Sequence, residues 1–154
     1  MAKFEKTSDY IEDEIRSLFM NTGLDNFIYL TIISKNKAKT VFDISKADSI
    51  TEYMINQTDV LRLVVYEEAY ELLGKEKRDI LLKAMFANID YDTEKEKLIL
   101  NKNILDGLVA LRNEYSDKDL LDAYEASRLI IQQIEDKANA AKEQRKKKDT
   151  DSEV

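Results

Sequence analysis

The chain has 154 residues, of which 24 are Lys or Arg and 31 are Asp or Glu, so its net charge is -7. It contains no Cys and no His, which excludes disulfides, Cys/His zinc sites, Ser-His-Asp and Cys-His catalysis, and HExxH metalloprotease chemistry. Its length suits one domain, and 44% hydrophobic residues are enough to build a core.

The hydrophobic pattern predicts alternating helices and strands. Ile11, Ile15 and Phe19 recur at helical spacing, whereas residues 27–33 are β-branched and aromatic on both parities, which predicts a strand covered on both sides. In chain order we expect a helix from Ser8–Asp9 to Gly23, a strand over 27–33, a strand over 60–66, a helix over 67–73 that ends at Gly74, a helix over 75–89, a turn over 90–93, an edge strand over 97–100, a helix from Asn103 to Tyr115, and a last helix from Asp117.

Residues 36–58 have the least defined pattern. Asp48 or Ser49 can cap a short helix that ends near Asn56, but the segment could also form a lid. Taken together, the elements predict an α+β fold in which a small two- to three-stranded sheet packs on helices and a long helix lies at the C-terminus.

The chain has no internal repeat and no Gly- or Ser-rich linker, so we expect one domain over residues 1–141. Residues 142–154 form a charged tail in this interpretation. We expect disorder beyond Lys148, because residues 149–153 offer no apolar side chain that could anchor them.

The last predicted helix carries more apolar residues than one packing seam needs. Leu120, Ile131 and Ile134 belong to a seam with spacings of three and four, and Leu129 and Ile130 widen it. One interpretation is that Leu129, Ile130 and Ile134 bind a protein partner or a second copy of the chain. The other is that the helix is buried on two sides by its own fold. We favour partner binding as the function, because the chain lacks the usual catalytic groups.

A basic segment lies near the C-terminus and offers an alternative function. Residues 142–148 carry one carboxylate and five cations, which are Lys142, Arg145, Lys146, Lys147 and Lys148. These cations could bind nucleic acid or an acidic protein, or they could belong to a solvated helix end. Because the rest of the chain is acidic and repels phosphate, we do not expect nucleic acid to be the main partner.

Glu67 and Glu68 are the carboxylates best placed for catalysis in the sequence, since they follow a predicted strand and open a predicted helix. Acidic side chains in a first helical turn also complement the helix dipole, and we favour this structural role for both residues. A carboxylate-dependent enzyme is the alternative. We expect no enzymatic activity, no metal site and no cofactor.

Parts of the sequence resemble small tailed-phage proteins related to phage metallopeptidases. The likeness spans about residues 60–135 and lies in Leu63–Tyr66 with Glu67–Tyr70, Asp79–Leu82, Ile89–Asp92 with Glu94–Lys97, and Ile130–Glu135. Where the peptidase-like members would carry HExxH, this chain has Ala84–Asn88, and Met85 replaces the general base. The resemblance therefore implies a phage-encoded protein on a zincin-like scaffold without catalytic residues, or a degenerate zincin-like protein with residual carboxylate chemistry.

The sequence also predicts where the protein works. No stretch approaches the ~18 consecutive apolar residues that a membrane span needs, and Met1–Lys6 is charged. We therefore expect a cytoplasmic protein without a membrane partner, in the host-cell cytoplasm if it is phage-encoded.

Overall fold

The computed structural model describes the backbone of residues 3–152 and the side chains of residues 3–148. Its elements, in chain order, are β1 (Phe4–Lys6), α1 (Asp9–Met20), a 3-10 turn (Leu24–Asn26), β2 (Tyr29–Lys35), β3 (Phe42–Lys46), α2 (Ser49–Ile55), β4 (Val60–Val65), α3 (Glu67–Leu73), α4 (Lys75–Ala87), β5 (Ile89–Asp92), β6 (Lys97–Leu100), α5 (Ile104–Ala110) and α6 (Asp117–Ser152). The predicted α+β class and the predicted long C-terminal helix are confirmed.

The main sheet has four strands in the order β1-β2-β4-β3, and β2 runs parallel to β4. Both outer strands are antiparallel to their neighbours. The predicted two to three strands were too few, because β1 and β3 are short strands with charged residues and have no clear hydrophobic alternation. Short, charged strands are typical of sheet edges.

The predicted edge strand over residues 97–100 exists, but it does not join the main sheet. This strand, β6, pairs with β5 in a separate two-stranded hairpin. The prediction of a turn over residues 90–93 was therefore wrong in part, since residues 89–92 form β5. The chain reverses instead between Asp92 and Lys97, where the Asp92 carboxylate accepts hydrogen bonds from the Glu94 and Lys95 amides at 3.1 and 3.2 Å.

Helices cover one face of the main sheet. Leu30 and Ile32 of β2 and Leu63 of β4 are buried there, together with Ile15 of α1 and Leu82 of α4. The Phe19 and Phe86 rings join α1 to α4 edge to face, with centroids 5.4 Å apart.

The opposite face of the sheet is not covered to the same degree, which corrects the prediction for β2. Thr31 and Ile33 point away from the helical layer and remain partly exposed. The β-branched and aromatic residues on both parities of 27–33 indicated two covered faces, but a partly exposed face tolerates isolated apolar side chains.

A close helix–helix contact involves α5. Gly107 on α5 is buried against the backbone of Ala84 on α4, and a Cβ atom at position 107 would overlap the Ala84 carbonyl oxygen. Glycine therefore allows these two helices to approach each other more closely than any other residue would.

Helix α6 has 36 residues, which corresponds to a length of about 54 Å. Leu120 and Ala123 are buried in the core, and the helix packs against α3 and α4. Every described side chain from Asn139 to Lys148 is exposed. The backbone remains helical to Ser152, and residues 153 and 154 of the predicted tail lie outside the described part of the chain. The division into a domain and a tail after residue 141 stays a prediction.

Candidate protein-interaction surface

An apolar groove lies between α5 and the first turns of α6, and we call it the α5–α6 groove. Its volume is about 410 Å³, and it is lined by Leu105, Leu108, Val109, Arg112, Asp117, Leu120, Leu121 and Tyr124. Three of these apolar side chains are strongly exposed, with exposed fractions of 48% for Leu105, 60% for Val109 and 54% for Leu121. Converging exposed apolar side chains of this kind are typical of an interaction site.

Local interactions explain how the sequence forms this groove. The Asn103 side chain accepts a hydrogen bond from the Leu105 amide at 3.1 Å and thereby caps α5. The helix predicted to extend to Tyr115 ends at Ala110, and the following turn leads into α6. Across that turn Arg112 donates two hydrogen bonds of 3.0 Å to the Asp117 carboxylate. The two charged residues of the groove therefore satisfy each other.

The three predicted partner-binding residues lie on two sides of α6. Leu129 is 61% exposed and points into solvent. Ile130 and Ile134 are partly buried and pack against the hydrophobic core of the same chain. The structure thus separates an intramolecular face of α6 from an exposed face, and Leu129 is the member of the predicted set that is free of the core.

The basic segment lies on the same helix, far from the groove. Lys142, Arg145, Lys147 and Lys148 are exposed, as is Lys146. At 1.5 Å per residue, Lys142 lies about 30 Å along the helix axis from Leu121. The structure therefore does not bring the basic segment and the groove into one site.

Glu67 and Glu68 have structural roles in the fold. The Glu67 carboxylate accepts a hydrogen bond of 2.7 Å from the Ser8 amide, at the start of α1. The Glu68 carboxylate accepts a hydrogen bond of 3.3 Å from the Tyr66 hydroxyl. Neither residue lines the α5–α6 groove.

The segment that corresponds to HExxH in the resemblance lies at the end of α4. Ala84, Met85 and Phe86 are buried there with exposed fractions of 0%, 7% and 2%. This part of the helix therefore contributes to the core and presents no ligand to a cleft.

A second cluster, between α1, α3 and α4, was missed by the sequence analysis. Arg78 donates hydrogen bonds of 2.9 and 3.1 Å to the Glu14 carboxylate, and both side chains are largely buried. The Arg78 guanidinium also lies 4.6 Å from the centre of the Tyr70 ring. Glu14 precedes the buried Ile15, but Arg78 stands between Lys77 and Asp79, and 64 residues separate the pair, so nothing in the sequence links the two.

Burial and charge shift the pKa values in this cluster. Burial tends to raise the pKa of Glu14, but the hydrogen bonds and the charge of Arg78 outweigh it and hold that pKa below its ordinary value. Burial raises the pKa of Asp79, and the neighbouring Glu14 adds to the effect against the opposing charge of Lys75. Burial and the Glu14 charge also raise the pKa of the Tyr70 hydroxyl.

The cluster borders a cavity of about 360 Å³ whose lining includes Glu14, Lys75 and Asp79. The Tyr70 hydroxyl and the Oδ1 atom of Asp79 are buried without a hydrogen-bond partner among the described residues. Across residues 3–148, no group of three or more His, Cys, Asp or Glu side chains is arranged to hold a metal ion. Because Arg78 pairs with Glu14 and Lys75 lies 3.5 Å from Asp79, we interpret this cluster as a structural ion-pair network.

No protein-family model, curated protein or solved structure matches this chain. Within the described residues, no helix is long and apolar enough to cross a membrane. The α5–α6 groove combines a concave shape, an apolar lining and exposed side chains, which makes it the candidate interaction surface of this chain.

Proposed function

We propose that this protein is a non-enzymatic interaction protein that binds an amphipathic helix of a partner protein in the α5–α6 groove. The observation that carries the proposal is the convergence of exposed Leu105, Val109 and Leu121 on an apolar groove of about 410 Å³. Grooves between helices accept the apolar side chains of a partner helix at positions i, i+3, i+4 and i+7.

Charge indicates the kind of helix that fits. Residues 104–125, which build the groove, carry six carboxylates and only two cationic side chains. The two cations are Arg112, in the turn between α5 and α6, and Lys118, at the start of α6. Arg112 is paired with Asp117. A partner helix with cations beside its apolar face would therefore gain favourable electrostatic interactions and a faster association rate.

The predicted binding residues of α6 fit this proposal in different ways. Leu129 extends the exposed apolar surface two turns beyond Leu121 and would contact a longer partner helix. Ile130 and Ile134 hold α6 on the core and thereby fix one wall of the groove. A direct contact of these two isoleucines with a partner stays a prediction.

The experiment compares two substitutions of exposed leucines. Leu121→Glu introduces a charge into the groove, and Leu72→Glu makes the same change at a 59% exposed leucine of α3 outside the groove. Tagged full-length proteins are used to capture partners from the cells that make the chain. Basic helical peptides from each captured protein are then titrated by calorimetry.

We expect at least one of these basic peptides to bind the unchanged chain and the Leu72→Glu variant equally well. The same peptide should bind the Leu121→Glu variant at least tenfold more weakly. Equal binding by both variants would exclude the groove. Light scattering measures whether the unchanged chain is a dimer. A dimer that Leu121→Glu dissociates would identify a second copy of the chain as the occupant of the groove and would contradict the proposal that a basic partner helix binds there.

The remaining expectations from the sequence stay predictions beside this proposal. Nucleic-acid binding by residues 142–148 is supported by the exposure of their cations on α6, and it would weaken with salt and end when the chain is cut after Ala141. The cytoplasmic location and the relationship to phage metallopeptidase-like proteins are also kept as predictions. Residual carboxylate chemistry finds no support in the positions of Glu67 and Glu68.

A further inference from the structure

Five lysines lie on the strand and loop segments around an exposed aromatic ring at one corner of the main sheet. We call this cluster the basic corner, and it consists of Phe4 with Lys3, Lys6, Lys35, Lys37 and Lys39. Phe4 on β1 pairs with Lys35 at the end of β2, and the loop that follows β2 contains Lys37 and Lys39. The Phe4 ring is 46% exposed.

Two of these lysines lie beside the Phe4 ring. The Nζ atoms of Lys3 and Lys35 lie 5.7 and 5.8 Å from the centre of the ring. Lys6, on the same strand, has a side chain that is 82% exposed. An aromatic ring with ammonium groups at its margin can stack on a planar group while the ammonium groups bind anions.

The charge of the basic corner is opposite to that of the whole chain. Residues 3–6 and 35–39 carry five lysines and one carboxylate, Glu5, although the chain has a net charge of -7. Asp9 lies 3.6 Å from Lys6, Glu67 accepts the Ser8 amide just after β1, and Asp43 on β3 lies on the same face of the sheet as Ile33. Lys35, Lys37 and Lys39 give the other side of the corner a local excess of positive charge.

We infer that the basic corner binds single-stranded nucleic acid, with a base stacked on Phe4 and the adjacent phosphates on Lys35, Lys37 and Lys39. Lysines alone would fit any acidic partner, but the exposed ring adds a site that suits an unpaired base. Aromatic side chains on an open sheet face, flanked by cations, are the recurrent means of holding single strands. Bases stacked within a duplex could not reach the ring.

The test measures the binding of a fluorescein-labelled oligothymidine of 15 nucleotides to the full-length protein by fluorescence anisotropy at several salt concentrations. Phe4→Tyr keeps an aromatic ring, whereas Phe4→Leu keeps an apolar side chain without one. We expect Phe4→Tyr to bind like the unchanged chain and Phe4→Leu to bind about tenfold more weakly, because stacking on the ring is lost.

Two triple variants with matched charge test the lysines. Replacing Lys35, Lys37 and Lys39 by Gln should make the negative slope of log association constant against log salt concentration shallower by about 2, since each phosphate contact contributes about 0.7 for single strands. Replacing the exposed Lys77, Lys95 and Lys97 by Gln changes the net charge equally, at α4 and at the β5–β6 hairpin, and should leave the slope unchanged.

Two outcomes would overturn the inference. The first is that neutralising Arg145, Lys146, Lys147 and Lys148 in the full chain abolishes binding while the changes at Phe4 and Lys35 have no effect. The second is that polyglutamate competes as well as the oligonucleotide and that Phe4→Leu binds normally, which would identify an acidic polypeptide as the ligand.

Discussion

At the scale of single residues, the pair of Glu14 and Arg78 joins α1 to α4 through two hydrogen bonds. Its two hydrogen bonds are made by side chains that are only 16% and 14% exposed. Glu14→Gln leaves a buried guanidinium without its counter-charge, and we expect the free energy of unfolding at pH 7 to fall by about 3 kcal/mol. Urea denaturation measures the loss. Glu12→Gln, at the more exposed pair with Arg16, should cost less than about 1 kcal/mol.

The lowered pKa of Glu14 also gives a pH dependence with a defined sign. The stabilisation from Glu14 is present above the ordinary pKa of a glutamate and is lost as the pH falls through the lowered folded-state pKa. The Glu14→Gln variant should lack this part of the acid-induced loss of stability. Equal acid sensitivity of the variant and the unchanged chain would contradict the role of the pair.

Asp79 should have the opposite effect. Its pKa is raised chiefly by burial, so its carboxylate destabilises the folded chain once the pH rises above the folded-state pKa. We expect Asp79→Asn to raise the free energy of unfolding at pH 7 by about 1 kcal/mol, because it removes a partly buried negative charge that lies beside Glu14. The gain should disappear near pH 3, where both side chains are neutral. Urea denaturation at both pH values tests this, with exposed Asp13→Asn as the control.

At the scale of elements, the sequence predicted what local pattern determines. The α2 helix begins after Asp48, whose side chain accepts the Thr51 amide at 2.7 Å, and ends at Asn56 in the left-handed region, as the capping residues indicated. The α3 helix ends before Gly74, which has a φ of 82°. Both boundaries depend on interactions within a few residues, which can be recognised in the sequence alone.

Elements that depend on distant partners were not predictable in this way. The edge strand β3 is polar, and its conformation depends on pairing along β4, where Ile44 lies opposite Leu63, nineteen positions further along the chain. The α5–α6 groove was missed because its wall requires α5 to end at Ala110 and Gly107 to contact Ala84. The exposed residue Leu129 was identified, since a surplus of apolar residues on one helix is visible in the sequence.

The contact of Gly107 with Ala84 gives a prediction for α5. Gly107→Ala would improve helix propensity, but the added Cβ overlaps the Ala84 carbonyl oxygen and forces α5 away from α4. We expect the free energy of unfolding to fall by about 2 kcal/mol, as for other overpacked contacts. Thermal denaturation measures it, with Ala110→Ser at an exposed position of the same helix as the control. A stabilised Gly107→Ala variant would show that the two helices can separate without cost.

At the scale of the whole molecule, charge and packing are unevenly distributed. An acidic body carries a basic corner at one sheet end and basic residues along the far part of α6, while the core holds only the first half of that helix. The basic corner lies on β1 and β2, whereas the α5–α6 groove and the second basic region lie at opposite ends of α6. One domain can therefore present separate surfaces to partners of different charge.

The unequal packing of α6 predicts how much of the chain the fold needs. A stop after Ala141 removes only side chains that are exposed wherever the structure describes them, so we expect the free energy of unfolding to change by less than about 0.5 kcal/mol. A stop after Arg128 also removes Ile130, Ile131 and Ile134, which pack on the core, and should cost about 3 kcal/mol or more. Urea denaturation followed by circular dichroism compares both chains with the full one. A large loss in the longer truncation would mean that the far part of α6 contributes to the fold, and that the domain does not end near residue 141.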